Sequence, residues 1–246
     1  MKLMFLGTAG YHPSNRRQTS CLLLPDLGIA FDAGTGFFRV RDYLRASTLD
    51  VYLTHAHLDH CVGLTFLYNV LDGGPAEAVV HGSADKLASI REHLFHPDLF
   101  PAMPPISWQP LDGPRQLPDG GQLRYWPQAH PGGSLGYRID WPGGRSFALV
   151  TDTRAAADAS YLEQVRGVDV LIHECNFRDD QADLAALTGH SCETAVADLA
   201  RRAGVGRLVL THVDPIADEA TFPDLGRLRR IFPETVLAHD FFELEL

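Results

Sequence analysis

Sulfur is scarce and scattered in this chain. Cys21, Cys61, Cys175 and Cys192 include no Cys-x-x-Cys pair, which excludes a disulfide scaffold or a structural zinc ribbon as the organising principle. The four read as small buried apolar residues. No apolar run approaches the ~18 residues that span a bilayer, so no membrane partner is expected. The start, Met1-Lys2-Leu3-Met4-Phe5-Leu6-Gly7, runs straight into a strand and a glycine turn. It lacks the longer apolar region and small-residue cleavage site of a signal peptide, and a cytoplasmic location is the expectation. Basic charge is also short. The 21 Lys and Arg against 31 Asp and Glu leave a formal charge of −10, which disfavours non-specific attraction to long nucleic acids. Internal repeats and low-complexity tails are absent.

What is present suits an α/β protein. At 246 residues and 45% hydrophobic content the chain can bury a core without staples, and one domain over residues 1–246 is expected. Four segments share one design, an apolar run ending in a residue that can bind metal or move protons: Val51 to His55, Phe147 to Asp152, Val168 to Glu174, and Leu208 to His212. Buried strands in α/β layers read this way, and their C-terminal ends are where such folds place ligands. Further strands are predicted at Lys2 to Leu6, Ser20 to Leu24, Ile29 to Asp32, Ala78 to His81, Leu123 to Trp126, Gly136 to Asp140 and Val236 to Ala238. Helical spacing appears over Cys61 to Leu71, Ala84 to Leu94, Ser191 to Ala200 with Ser191 as the cap, and Leu225 to Phe232. The Pro-rich stretch from His96 to Pro118 reads as a long connection, since it suits neither a regular helix nor a central strand.

The densest chemistry lies in Thr54-His55-Ala56-His57-Leu58-Asp59-His60. Alternate residues of an extended segment point the same way, so His55 and His57 can grip one ion, while Asp59 and His60 in the following turn can face a second. A binuclear metal site is the reading.

This segment resembles the signature of the metallo-β-lactamase superfamily, whose His-x-His-x-Asp-His supplies ligands to two metals. His130, Asp152 and His212 occupy the matching later positions in order. Phe5-Leu6-Gly7-Thr8-Ala9-Gly10 with Pro13 to Arg17, Phe31-Asp32-Ala33-Gly34, Gly136-Tyr137-Arg138-Ile139, His173-Glu174 and Gly189-His190-Ser191 are similar to ribonuclease Z, the transfer-RNA 3′-processing endonuclease. The resemblance implies an αβ/βα sandwich of two mixed β-sheets flanked by helices. It also implies one ion on His55, His57 and His130, a second on Asp59, His60 and His212, and Asp152 bridging. Zinc suits such N-rich ligands, with manganese or iron as alternatives. Two ions lower the pKa of bound water toward ~7; Asp59 takes the proton of that water and holds the hydroxide nucleophile that results. By the same resemblance His173 is the proton donor, oriented by Glu174. His190 is a second candidate and a substrate contact, and Arg16 and Arg17 are candidate phosphate contacts.

Two departures narrow the substrate. Ribonuclease Z carries a transfer-RNA-binding arm between the positions of His130 and Asp152, where this chain has only Pro131 to Thr151. After His212, Val213-Asp214-Pro215 also differs from the usual Ser-Pro-Arg-type continuation. The expected activity is therefore phosphodiester hydrolysis on a small or cyclic phosphodiester, with nucleic acid not favoured. Carbonyl hydrolysis of the lactonase or thioesterase type, a ribonuclease Z-like RNA 3′-end endonuclease and a non-catalytic metal-binding scaffold are the alternatives, in that order. The resemblance also suggests a homodimer.

Overall fold

Apolar runs become strands in this computed structural model, which describes residues 1–246. The chain divides into two compact units, Met1–Asp112 with His239–Glu245, and Gly113–Ala238 with Leu246. In the first unit β1 (Lys2–Gly7), β2 (Cys21–Leu24), β3 (Ile29–Phe31), β4 (Leu49–Tyr52), β5 (Ala78–Gly82) and β6 (Ile106–Pro110) lie side by side in chain order, and the C-terminal strand Phe242–Glu245 joins outside β1. β1 to β3 pair antiparallel and β3 to β6 parallel, so the sheet is mixed. Met4, Leu6, Leu23, Val51, Leu53 and Val80 form one core with Phe37, Val40, Leu64, Leu67 and Ile90 of the helical segments. Each such side chain contributes roughly 1.5–3 kcal/mol when fully buried.

In the second unit β7 (Arg115–Gln116), β8 (Gln122–Gln128), β9 (Ser134–Asp140), β10 (Ser146–Val150), β11 (Val170–Glu174), β12 (Arg207–Thr211) and β13 (Thr235–Leu237) also run in chain order. β7 to β10 pair antiparallel, β10 to β13 parallel. Ala148, Val150, Leu171, Leu208 and Leu210 pack with Val196, Leu199, Ala200 and Ala203 of the helix Glu193–Ala203. Register sets the level of the strand ends: Val150 lies opposite His173, and Glu174 opposite Thr211. Asp152, Glu174 and His212 therefore emerge from the same end of three adjacent parallel strands. Between His130 and Asp152 the chain holds only β9, β10 and a turn closed by Trp141 N–H on Arg145 O at 2.8 Å.

Three details differ from the sequence reading. The Pro-rich stretch contains β6 and β7, but both are edge strands, where a missing N–H costs no ladder bond. The helix predicted over Cys61 to Leu71 is broken into the turns Leu58–Cys61, Val62–Phe66 and Leu67–Val70. Its Gly63 packs so closely that an added Cβ would stand 2.3 Å from Gly34 O. The helix after residue 190 starts at Glu193 with Cys192 as cap residue, because the Ser191 hydroxyl is used elsewhere, donating to Thr153 O at 2.7 Å. No helix is long and apolar enough to cross a membrane.

Candidate metal centre

In the first unit, residues 53–57 continue past the end of β4 and deliver the histidine cluster. The His55 ring lies 4.4 Å from that of His57 and 4.3 Å from that of His60, centroid to centroid. Beneath them is a buried carboxylate, Asp32. It accepts from Thr54 N–H at 2.8 Å, Ser20 Oγ at 3.1 Å and His60 Nδ1 at 2.7 Å. That last bond places the proton on Nδ1 and leaves the Nε2 lone pair of His60 for a metal, the carboxylate–histidine support typical of metal ligands. His60 Nε2 stands 3.3 Å from Asp59 Oδ2, which also accepts from Tyr11 N–H at 2.8 Å.

In the second unit Asp152 sits between two imidazoles. His130 Nε2 is 3.5 Å from its Oδ2, and His212 Nε2 is 3.4 Å from its Oδ1. His130 has its other nitrogen engaged, Nδ1–H donating to Gly189 O at 3.1 Å. Glycine is required there: at φ 77° a Cβ would stand 2.5 Å from Pro131 Cδ and 3.0 Å from His130 Nδ1. Asp152, His190 and His212 each bring a ligand atom within 4.8 Å of the others.

These spacings fit a divalent ion. Donors at ~2.0–2.1 Å on a tetrahedral ion are about 3.3–3.5 Å from each other, the separations found between each carboxylate oxygen and its imidazole nitrogen. Backbone strain concentrates at the same residues. Four of the five non-glycine residues with positive φ are Tyr11 (64°), Asp32 (60°), Asp152 (51°) and His212 (52°), a conformation that costs of order 1–3 kcal/mol each.

The structure corrects the pairing expected for Glu174. Successive strand residues face opposite ways. The His173 ring is fully buried, its Nδ1–H donating to Glu174 O at 2.7 Å and its Nε2 accepting from Tyr161 Oη at 2.8 Å. The Glu174 carboxylate instead meets His190 Nδ1 at 3.0 Å, and backbone N–H groups of Thr153 and Ser191 hold it at 2.7 and 3.1 Å. The His190 ring lies 5.6 Å from His212 and 5.1 Å from His130. The histidine beside His130 and His212 is therefore His190.

Burial pushes the His173 imidazole below its ordinary range, partly offset by its bond to the Glu174 carbonyl. The native state thus binds fewer protons than the unfolded chain once pH falls below ~6.5, and its stability drops with pH there. We expect unfolding free energy to fall less between about pH 7.5 and about pH 5.5 in His173→Gln than in the unaltered protein. Urea titrations check this, and equal falls would contradict it.

Arg17 also departs from expectation. Its side chain is buried, Nη1 donating to Thr8 Oγ1 at 2.6 Å, which in turn donates to Asp240. It braces the loop rather than facing solvent; Arg16 is exposed. Cys61 is a buried thiol pushed up to about 12, chiefly by burial. Sequence reasoning assigned Asp32 no role. The signal was present, since Ile29-Ala30-Phe31-Asp32 repeats the design of an apolar strand closed by a ligand-supporting residue.

A family model described as Beta-lactamase superfamily domain matches residues 28–213. The chain belongs to the β-lactamase superfamily. It is a metal-dependent hydrolase. Ribonuclease Z of Parasynechococcus marenigrum strain WH8102 is 31% identical to it over 319 aligned positions, covering 100% of this chain and 98% of that protein. Ribonuclease Z of Methanosarcina acetivorans is 24% identical over 303 positions, covering 100% and 98%. Among solved structures, the metallo-β-lactamase fold protein YhfI of Bacillus subtilis superposes with a TM-score of 0.80 at 21% identity, covering 99% of each chain. With two mixed sheets flanked by helices, the chain has the αβ/βα metallo-β-lactamase fold.

Proposed function

We propose that this protein is a binuclear metal-dependent phosphodiesterase acting on a small or cyclic phosphodiester. In this reading the whole chain works as one domain, His55, His57 and His130 would hold one divalent ion, Asp59, His60 and His212 would hold the other, and Asp152 would be shared between them. A three-histidine set and a set of two histidines with a carboxylate both suit zinc, with manganese and iron as the alternatives. When bound, two such ions lower the pKa of water toward ~7 and offset charge on the non-bridging phosphate oxygens.

The observation that carries the reading is the Glu174–His190 pair at 3.0 Å, set against the rings of His130 and His212. A phosphodiester releases an alkoxide that needs a proton. With Nδ1–H on Glu174, His190 presents Nε2 as the proton carrier, and the buried carboxylate stabilises the imidazolium while fixing its tautomer. Asp59 takes the proton of the attacking water, its carboxylate oriented by Tyr11 N–H. Similarity to ribonuclease Z supports phosphodiester chemistry. The interval filled by β9, their turn and β10 leaves no arm for transfer RNA, which favours a small substrate. A homodimer is part of the proposal.

The test is metal analysis coupled to a panel: bis(4-nitrophenyl) phosphate, a cyclic phosphodiester, a precursor transfer RNA, a lactone and a thioester. The diesters should lead. Absence of diester turnover by fully metallated protein, or a preference for the carbonyl esters, would overturn the reading.

A further inference from the structure

We propose that Tyr11 is a stacking residue for a nucleobase attached to the phosphodiester; this rests on the phosphodiesterase reading. Its main-chain N–H donates to Asp59 Oδ2 at 2.8 Å, so the residue carrying the phenol ring is bonded directly to the candidate base. The ring itself is 82% exposed, among the largest exposures of any apolar side chain in the protein. A lone exposed tyrosine is ordinary. One held in place at strain is not.

Tyr11 has φ 64°, a left-handed conformation that disfavours a bulky side chain and persists only where its surroundings impose it. Those surroundings are well defined. Thr8 and Ala9 N–H both donate to Gln18 O, at 2.8 and 2.9 Å, His12 N–H donates to Gly10 O at 2.8 Å, and Ser14 N–H to Arg17 O at 2.8 Å. Asp240 clamps the loop base, accepting from Thr8 Oγ1 and Gln18 N–H, each at 2.7 Å. The ring is braced as well: His12 packs edge-on against it at 5.1 Å, with its own Nδ1–H on Pro13 O at 2.8 Å. A glycine would hold the same turn and give the same N–H to Asp59 without strain. Tyrosine adds only the ring.

An aromatic side chain on the residue bonded to Asp59 suits what phosphodiesters commonly carry. Stacking of a base on such a ring is worth ~1–3 kcal/mol by alanine substitution, needs no sequence readout, and loses little entropy when the ring is already fixed. The ring therefore selects among diesters.

Two 4-nitrophenyl diesters with the same leaving group test this: thymidine 5′-(4-nitrophenyl phosphate) and methyl 4-nitrophenyl phosphate. Tyr11→Gly keeps the N–H and the turn, and Tyr11→Phe keeps the ring. We expect the kcat/KM ratio of the thymidine over the methyl diester to fall about tenfold in Tyr11→Gly and to persist in Tyr11→Phe. Equal losses on both substrates would mean that Tyr11 acts through Asp59 or on the shared nitrophenyl group and would overturn the proposal, as would an unchanged ratio. Isothermal titration of the metal-loaded protein with thymidine 5′-monophosphate and with methyl phosphate reads the same contact without turnover. Ring-dependent binding without diesterase activity would sink the phosphodiesterase reading and leave the stacking site; ring-independent binding would sink the stacking site.

Discussion

Asp59→Ala is expected to lower kcat for bis(4-nitrophenyl) phosphate by about 10²–10⁴-fold, the range typical of losing a positioned general base. The carboxylate is held from two sides, by Tyr11 N–H at 2.8 Å and by its 3.3 Å approach to His60 Nε2. Neither contact is replaceable by a neighbour: His57 and Leu58 are exposed, and Asp32 is committed below the cluster to Thr54, Ser20 and His60. The Asp59 side chain is 12% exposed and holds Tyr11 N–H, so the thermal midpoint measured beside the kinetics separates loss of chemistry from loss of fold. Asp59→Asn, which keeps the shape and cannot take the proton, should fall nearly as far. Steady-state kinetics with metal content measured on the same samples decides the matter. Retention of more than a tenth of the rate would remove Asp59 from the role of base.

The second large effect concerns which histidine supplies the leaving-group proton. His190→Ala should cost about 10²–10⁴-fold in kcat on diesters that release an aliphatic alkoxide. It should cost far less on 4-nitrophenyl diesters, whose leaving group departs with little help. Glu174→Gln should show the same dependence on leaving group with a smaller loss, because His190 keeps its ring and loses the carboxylate that stabilises the imidazolium. His173→Gln should show no such dependence, since that ring is closed off by Tyr161 and the Glu174 carbonyl. His190 also lies close enough to Asp152 and His212 to share an ion. Metal analysis therefore accompanies the kinetics: a loss uniform across leaving groups and matched by loss of metal would make His190 a ligand and not the acid.

The difference between His173 and His190 marks where sequence reasoning stopped. Resemblance to the adjacent His-Glu pair of ribonuclease Z implied that His173 and Glu174 act together. In a strand, neighbours i and i+1 point to opposite faces, so adjacency separates side chains instead of joining them. Glu174 reaches a histidine sixteen positions later, because Gly189 turns the chain back at φ 77° and lets it pass against His130. Arg17 shows the same limit. Two arginines after a glycine turn read as candidate phosphate contacts, yet the Thr8–Asp240 clamp draws one of them inside.

By itself the sequence determined the strands, because buried parallel strands must be apolar on both faces and such runs are visible without a structure. It also determined the candidate ligands, since His-x-His-x-Asp-His concentrates metal-binding donors at one strand end, and it excluded the transfer-RNA arm by length alone. Only the tertiary structure decided what supports those donors. The Asp32 carboxylate under His60, the Gly189 carbonyl on His130, the Glu174 pairing with His190 and the strained turn that joins Tyr11 to Asp59 all span long stretches of chain. Such contacts depend on register between strands and on which face each side chain takes, and no local pattern of residues encodes either.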